Sequence, residues 1–352
     1  MENNQQIPHK RRIHYSGKYP RNYNEKYKEL NPEKYVDIAE HVIAKGNTPA
    51  GTHIPIMVRE ILDILDINPG EQGFDGTLGY GGHTQAMLGC LKGQGHLYSG
   101  DVDSIELTKT TERLRKAGFD ETIWSPRLMN FCDIDKLAAE VGKFDFVLAD
   151  LGVSSMQIDN PERGFSYKTD GPLDLRLDSK SGISAAERLK ELSRDELEGM
   201  LVENSDEPYA KAIARQIYNS INKGKTIATT TALYQEIVAA MNRVKPADDR
   251  DWQQEIKKSC ARVFQALRID VNREYEVLYE FMEKLPNVLN KGARVAILTF
   301  HSGEDRIVKK SFQALQRAGD YTEISTEIIR PGKEECYNNS RAHSTKLRWA
   351  VK

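Results

Sequence analysis

The segment from Asp75 to His83 is rich in glycine and reads Asp-Gly-Thr-Leu-Gly-Tyr-Gly-Gly-His. A backbone can approach a ligand closely at glycine because no side chain stands in the way. Asp101 follows Gly79 by about 20 residues, the spacing at which an acid at the end of a strand accepts hydrogen bonds from ribose hydroxyls. These features predict a site for a cofactor that contains a nucleoside. A tight turn with only a structural role is the alternative.

The same loop is a poor match to the dinucleotide fingerprint G-x-G-x-x-G, because the third glycine is missing. Sites for NAD and for S-adenosylmethionine share the pairing of a glycine loop with a later acid. A nicotinamide-dependent oxidoreductase is therefore the weaker of these two alternatives.

Asp150 ends the apolar run Phe144 to Ala149 and precedes Leu-Gly-Val-Ser-Ser. Ligands of open α/β sheets bind at the carboxyl ends of the strands, so we expect the Asp150 carboxylate to project into a crevice near the glycine loop. The alternative is that Asp150 caps the next helix.

Short apolar strands and amphipathic helices alternate around these residues from Thr52 to Ser155, a pattern that predicts a doubly wound parallel sheet. The following hundred or so residues are helical, and capping boxes begin at Ser184 and at Ser193. Sheet-type sequence returns at Ala293 to Phe300. The predicted fold is thus an α/β domain interrupted by an all-helical insert.

We predict four segments: an N-terminal arm at 1–51, the first part of the α/β domain at 52–155, a substrate-recognition insert at 156–258, and the second part at 259–352. Residues 9–21 of the arm contain five lysines and arginines, three tyrosines lie between 15 and 23, and no acid occurs in 9–21. Such a segment can follow a phosphate backbone and stack on bases. A solvated tail is the alternative.

The overall composition argues against several classes of protein. No apolar run approaches the roughly 18 residues of a membrane span, and no apolar stretch typical of a secretory signal follows the basic N-terminal residues. The four cysteines lie far apart without Cys-x-x-Cys spacing, which argues against disulfides and structural zinc. We therefore expect a cytoplasmic protein with no membrane association and no metal site. The net charge of −2 says little about nucleic acid, because binding depends on where charges cluster.

Six motifs together resemble the bacterial small-subunit (16S) rRNA cytidine N4-methyltransferase family, known as RsmH or MraW. The resemblance extends from about His53 to the carboxyl terminus. The motifs are Asp75 to His83, Asp150-Leu-Gly-Val-Ser-Ser, Arg163-Gly-Phe-Ser-Tyr, Gly171-Pro-Leu-Asp-Leu-Arg, Arg262-Val-Phe-Gln-Ala-Leu-Arg-Ile-Asp-Val-Asn and Phe300-His-Ser-Gly-Glu-Asp-Arg.

The resemblance implies a class I, Rossmann-like methyltransferase that uses S-adenosyl-L-methionine to methylate the exocyclic amine of a decoding-centre cytidine. Small-subunit rRNA or the small ribosomal subunit would be its partner. Asp150 is the candidate catalytic residue, since an acceptor for an amine hydrogen would make the nitrogen a better nucleophile. The cofactor contacts that carry over from the family are Gly81, Gly82, His83, Asp101, Phe131, Asp150 and Gln157.

Candidate substrate contacts lie in three places. Arg163 and Arg176 belong to the loop that enters the insert, which could close over a base that has left its stack; ion pairs that fix the loop are the alternative. Arg268 and Asn272 lie on a polar helix stripe with Gln265, which predicts hydrogen bonds to RNA or to the insert. His301 ends a strand at the crevice edge, although Ser302 and Asp305 could equally form a helix cap there.

Several residues depart from the usual family pattern. Gly303 stands where leucine is usual, Asn204 to Glu207 where Gly-Glu-Glu is expected, and Lys258-Ser-Cys-Ala-Arg262 where His-Pro-Ala-Thr-Arg is typical. These departures are those expected of a paralogue with shifted substrate contacts. The alternatives are a methyltransferase for a different RNA, one for protein or small molecules, and a non-catalytic RNA-binding assembly factor on the same fold.

Overall fold

The computed structural model describes residues 55–246 and 251–352, so the predicted arm at 1–51 lies outside the described residues. The described part contains a seven-stranded sheet in the order β3-β2-β1-β4-β5-β7-β6. The first five strands are parallel, and β7 is antiparallel to both of its neighbours. The strands are β1 Gln72–Asp75, β2 His96–Asp101, β3 Trp124–Leu128, β4 Phe144–Asp150, β5 Leu289–Thr299, β6 Glu323–Ile324 and β7 Lys346–Val351.

The predicted α/β sheet is confirmed, with differences at its edges. β3 begins at Trp124, whereas the apolar pattern predicts a strand from Arg127 to Phe131. Pro126 obscured the signal, since proline is tolerated in an edge strand and not in a central one. The sequence from Tyr321 to Ile329 also has a strand-like pattern, but the strand in this segment is the two-residue β6.

Helices on both faces of the sheet complete the first part of the domain. They cover two apolar clusters, one centred on Phe74 and Val147 and the other on Phe146 and Leu148. These helices are α1 Val58–Leu65, α2 Gly82–Leu91, α3 Ser104–Lys116 and α4 Ile134–Val141.

The helical insert lies between β4 and β5 and has a core of its own, which runs from Leu173 to Leu267. Both predicted capping boxes are present: the hydroxyls of Ser184 and Ser193 accept from the backbone N–H of the glutamate three residues later, and its carboxylate accepts from the backbone N–H of the serine. The helices between β4 and β5 are α5 Ser155–Asp159, α6 Ala185–Glu191, α7 Arg194–Ser205, α8 Ala210–Asn222, α9 Thr230–Arg243, α10 Trp252–Asn272 and α11 Glu274–Lys284, of which α11 packs in the core of the sheet.

The long helix α10 joins the insert to the returning sheet. The predicted boundary between residues 258 and 259 falls inside it, and its buried residues from Trp252 to Leu267 belong to the insert core. The chain then continues through α11, β5 and two more helices, α12 Ser302–Ala318 and α13 Lys333–Asn338. The division into 52–155, 156–258 and 259–352 stays a prediction.

None of the helices formed by residues 55–246 and 251–352 is long and apolar enough to cross a membrane.

Candidate active site

The strand order reverses between β1 and β4, which places a crevice at their carboxyl ends. The glycine loop lines this crevice. Gly79 and Gly81 have φ angles of +46° and +72°, a region that L side chains rarely adopt. A Cβ atom on Gly81 would lie 2.8 Å from Cγ2 of Thr110, so the loop needs glycine there for space as well as for conformation.

Asp101 holds this loop from the end of β2. Its Oδ2 accepts a hydrogen bond from the backbone N–H of Gly79 at 2.7 Å, and its Oδ1 accepts one from Asp103 at 2.8 Å. Burial raises the pKa of Asp101 to about 6. Each carboxylate oxygen keeps a second lone pair, so Asp101 can still accept hydrogen bonds from ribose hydroxyls.

His83 and Asp150 lie side by side in the crevice, with Nε2 of His83 3.5 Å from Oδ2 of Asp150. His83 Nε2 and Asp150 Oδ1 are both buried and have no hydrogen-bond partner among the described residues. Buried polar atoms usually have partners, so the pair is ready for a polar ligand. The alternative that Asp150 caps the next helix is wrong, because Ser154 caps α5 in a capping box with Gln157.

Two residues that the motif analysis missed connect the glycine loop to its neighbours, Thr77 to Asp150 and Asp75 to Thr84. The Thr77 hydroxyl accepts a hydrogen bond from the backbone N–H of Asp150 at 2.7 Å. Asp75 is fully buried; its Oδ2 accepts from the Thr84 hydroxyl at 2.6 Å, and burial raises its pKa. Both residues belong to the glycine-loop motif, so their place in the sequence was the available signal.

Phe131 lies just after β3 and forms one apolar wall. Its ring packs edge-on against Phe281, with centroids 5.1 Å apart. A Cβ atom on Gly76 would lie 2.9 Å from Cβ of Phe131, so glycine lets this wall approach the loop. An aromatic residue so placed can pack against a purine base.

Gln157 and Arg163 converge on Asp103, another residue that the motif analysis missed. Oδ2 of Asp103 accepts hydrogen bonds from Gln157 Nε2 at 3.0 Å and from Arg163 Nη1 at 2.6 Å. Burial works to raise the pKa of Asp103, but the hydrogen bonds from Arg163 and Gln157 outweigh it and lower that pKa. The signal in the sequence was an acid two residues after Asp101 that caps α3.

The other predicted substrate contacts are engaged within the chain. Arg176 pairs with Asp174 at 2.7 Å, and Arg268 forms two hydrogen bonds with Glu274. Asn272 Nδ2 donates to the carbonyl of Leu175 at 2.7 Å. The structure thus supplies the ion pairs named as the alternative for the loop, and contact of Arg163, Arg176, Arg268 and Asn272 with a substrate stays a prediction.

His301, not Ser302, caps α12: Nδ1 of His301 accepts a hydrogen bond from the backbone N–H of Glu304 at 3.5 Å. The predicted cap by Ser302 and Asp305 is wrong, because Asp305 instead pairs with Lys346 and Arg348. His301 Nε2 lies 3.0 Å from Glu304 Oε1 in poor hydrogen-bond geometry. Burial opposes ionisation of Glu304, but His301 and Arg268 outweigh it and lower its pKa.

Glu274, His301 and Glu304 together have the spacing of a possible metal site. Arg268 already neutralises Glu274 through two hydrogen bonds of 2.8 Å. The cluster is therefore accounted for as an ion-pair network.

Comparison with known proteins finds similar sequences among methylases. The sequence profile of the MraW methylase family matches residues 50–352. A protein of Agathobacter rectalis named ribosomal RNA small subunit methyltransferase H 1 is 63% identical over 344 residues, which are 98% of each chain. One of Alkaliphilus metalliredigens named ribosomal RNA small subunit methyltransferase H 2 is 58% identical over all of both chains. The protein of Fusobacterium nucleatum named ribosomal RNA small subunit methyltransferase H is 37% identical, over 84% of this chain and 95% of that one.

Proposed function

The chain belongs to the MraW methylase family, and from this we propose that it is an S-adenosylmethionine-dependent RNA methyltransferase. Its substrate would be a cytidine of the decoding centre in small-subunit rRNA, methylated on the exocyclic N4 amine. The observation that carries the proposal is the pair of unpartnered buried atoms, His83 Nε2 and Asp150 Oδ1, in the glycine-loop crevice of a family member. The setting of ribosome assembly would be cytoplasmic.

The residues of the crevice fit this cofactor. Asp101 would accept the ribose hydroxyls, Phe131 would pack against the adenine, and the positive-φ glycines admit the methionine end. His83 and Gln157 would donate hydrogen bonds to polar edges of the cofactor. When bound, S-adenosylmethionine supplies an electrophilic methyl group on a positively charged sulfur.

Asp150 would position the target amine. The cytidine N4 lone pair is delocalised into the ring, so the nitrogen is a poor nucleophile. A carboxylate oxygen that accepts an N–H hydrogen bond returns electron density to nitrogen and orients it towards the methyl group. The Asp150 side chain is 29% exposed and can meet a substrate amine, and Thr77 fixes the backbone behind it.

The names of the relatives support rRNA as substrate, and they also favour one alternative. Relatives that align over 98–100% of this chain carry the numbers 1 or 2, whereas the unnumbered relatives cover 84–85% of it. A number in the name indicates that an organism has more than one such protein. A paralogue that methylates a different RNA is therefore the second candidate function.

The deciding experiment compares rRNA modification with and without the gene. Small subunits from a deletion strain are incubated with the purified chain and labelled S-adenosylmethionine, and the nucleosides are analysed by mass spectrometry. We expect N4-methylcytidine to be absent in the deletion strain and restored in the incubation. An unchanged set of methylcytidines would overturn the rRNA assignment. Label in another RNA would identify the paralogue function, and RNA binding without transfer would identify an assembly factor.

A further inference from the structure

Asp103 is the point where the cofactor crevice meets the insert. Its Oδ1 caps α3 by accepting from the backbone N–H groups of Ile105 and Glu106, at 3.1 and 3.3 Å. Its Oδ2 accepts from Gln157 and Arg163. Two donors on each oxygen fill the acceptor capacity of a carboxylate, so Asp103 has no role left as a ligand contact.

Arg163 extends this junction across the entry loop, which we define as residues 160–178. Besides its bond to Asp103, it donates from Nη2 to the carbonyls of Arg176 at 3.1 Å and Leu177 at 2.8 Å. The side chains of Arg163 and Asp103 are only 11% and 4% exposed. The planar guanidinium of Arg163 thus links both ends of the entry loop to Asp103.

The entry loop is held in a strained conformation at Leu175, whose φ of +64° is unfavourable for a leucine. Leu175 donates its N–H to the carbonyl of Arg163 and accepts at its own carbonyl from Asn272. Asn272 also accepts from the N–H of Leu177 at 2.7 Å. Such strain persists only where contacts with neighbouring residues impose the conformation, and Arg163 and Asn272 make those contacts.

We propose that Asp103 and Arg163 are positioning residues that couple the cofactor site to the entry loop, so that cofactor and RNA bind cooperatively. The inference rests on the proposed function. Asp101 accepts a hydrogen bond from the backbone N–H of Asp103, and Gln157 donates one to the Asp103 carboxylate. A cofactor bound to Asp101 and Gln157 therefore fixes Asp103. Asp103 in turn fixes Arg163 and the loop. Because the bound cofactor has already ordered the entry loop, RNA binding no longer bears the entropy cost of ordering it.

The test measures this coupling as a change in binding. S-adenosylhomocysteine is titrated calorimetrically into the purified chain, alone and with saturating small subunits from a deletion strain. In the wild type we expect subunits to tighten its binding about tenfold. In Arg163→Lys, which keeps the charge but cannot span Asp103 and both carbonyls, we expect that factor to fall close to one. The factor is a ratio of two affinities of the same variant, so a change in affinity for S-adenosylhomocysteine alone does not enter it.

Hydrogen exchange gives a second readout that does not depend on RNA. S-adenosylhomocysteine should slow exchange in peptides covering 163–178 in the wild type, and not in Arg163→Lys or Asp103→Asn. The matched control is Arg188→Lys, whose ion pair with Asp270 at 2.7 Å joins α6 to α10; it should retain both responses.

Two failures are distinguishable. If S-adenosylhomocysteine does not bind the wild type, the proposed function falls. If it binds but neither tightens with subunits nor protects the loop, or if Arg163→Lys keeps both responses, the coupling proposal falls and the function stands.

Discussion

The imidazole of His83 and the carboxylate of Asp150 lie 3.5 Å apart, and each has a buried atom without a hydrogen-bond partner among the described residues. Leaving a buried polar group unsatisfied costs about 1–3 kcal/mol. Both groups lie where the strand order of the sheet reverses, between β1 and β4. A ligand that satisfies them recovers this free energy, which is why we place the chemistry here.

Asp150→Asn should lower kcat by about a hundredfold, because an amide accepts an amine hydrogen more weakly and can turn its own N–H towards N4. Initial rates with labelled S-adenosylmethionine and calorimetry with S-adenosylhomocysteine check this. Asp145→Asn is the control, since Asp145 lies at the opposite end of β4 and contacts Gln72 and Asn290. If Asp150→Asn kept both full methyl transfer and full cofactor affinity, its assigned role would be wrong.

Affinity for S-adenosylhomocysteine should fall as the pH falls below about 6. Burial raises the pKa of Asp101 to about 6, and only its ionised form accepts from both ribose hydroxyls. Ionisation is complete well above this pKa and is lost below it, so affinity at pH 5 should be about tenfold lower than at pH 7. Titrations across this range measure the effect. Asp101→Asn should bind S-adenosylhomocysteine weakly and without this pH dependence. If that variant showed the same pH dependence, another titrating group would be its cause.

Gly81→Ala should destabilise the chain by about 1–3 kcal/mol and weaken cofactor binding. The new Cβ would meet Thr110 Cγ2 at 2.8 Å, in a backbone conformation with positive φ. Gly89→Ala is the matched control, because Gly89 lies in α2 with nothing within 4 Å of an added Cβ. It should instead stabilise the chain by about 0.5–1 kcal/mol. Denaturant unfolding compares the two, and equal stabilities would contradict this account of the loop.

The sequence predicted what depends on local pattern and missed what depends on distant contacts. Alternating apolar segments predicted the sheet, and Ser-x-x-Glu spacing predicted the helix starts at Ser184 and Ser193. No local pattern shows that Arg163 reaches Asp103, 60 residues earlier. The motifs therefore identified Arg163 as a special residue but not its partner.

The departures from the family pattern show the same limit. In the sequence these departures lie in three separate places, at 204–207, 258–262 and 303. In the structure Glu207 accepts hydrogen bonds from Ser259 at 2.9 Å and Arg262 at 2.7 Å. The Asn204 carbonyl accepts from the Tyr275 hydroxyl, which lies where a side chain on Gly303 would go. These contacts join the three stretches into one set of neighbouring residues, which sequence spacing could not reveal.

Gly303→Ala tests whether this set is coupled. An added Cβ would lie 1.8 Å from the Tyr275 hydroxyl oxygen, so the ring must move and give up its hydrogen bond to Asn204 at 3.0 Å. We expect a loss of about 1–3 kcal/mol in the free energy of unfolding, although alanine favours helix.

Tyr275→Leu removes the obstructing hydroxyl and the tip of the ring, so the double variant Gly303→Ala/Tyr275→Leu should be less destabilised than the sum of the two single variants. The coupling should be about 1 kcal/mol or more in a double-mutant cycle measured by guanidinium unfolding. Gly199→Ala in α7, where an added Cβ has nothing within 4 Å, is the control for helix propensity. Additive effects, or a Gly303→Ala variant as stable as Gly199→Ala, would mean that Gly303 and Tyr275 are not coupled.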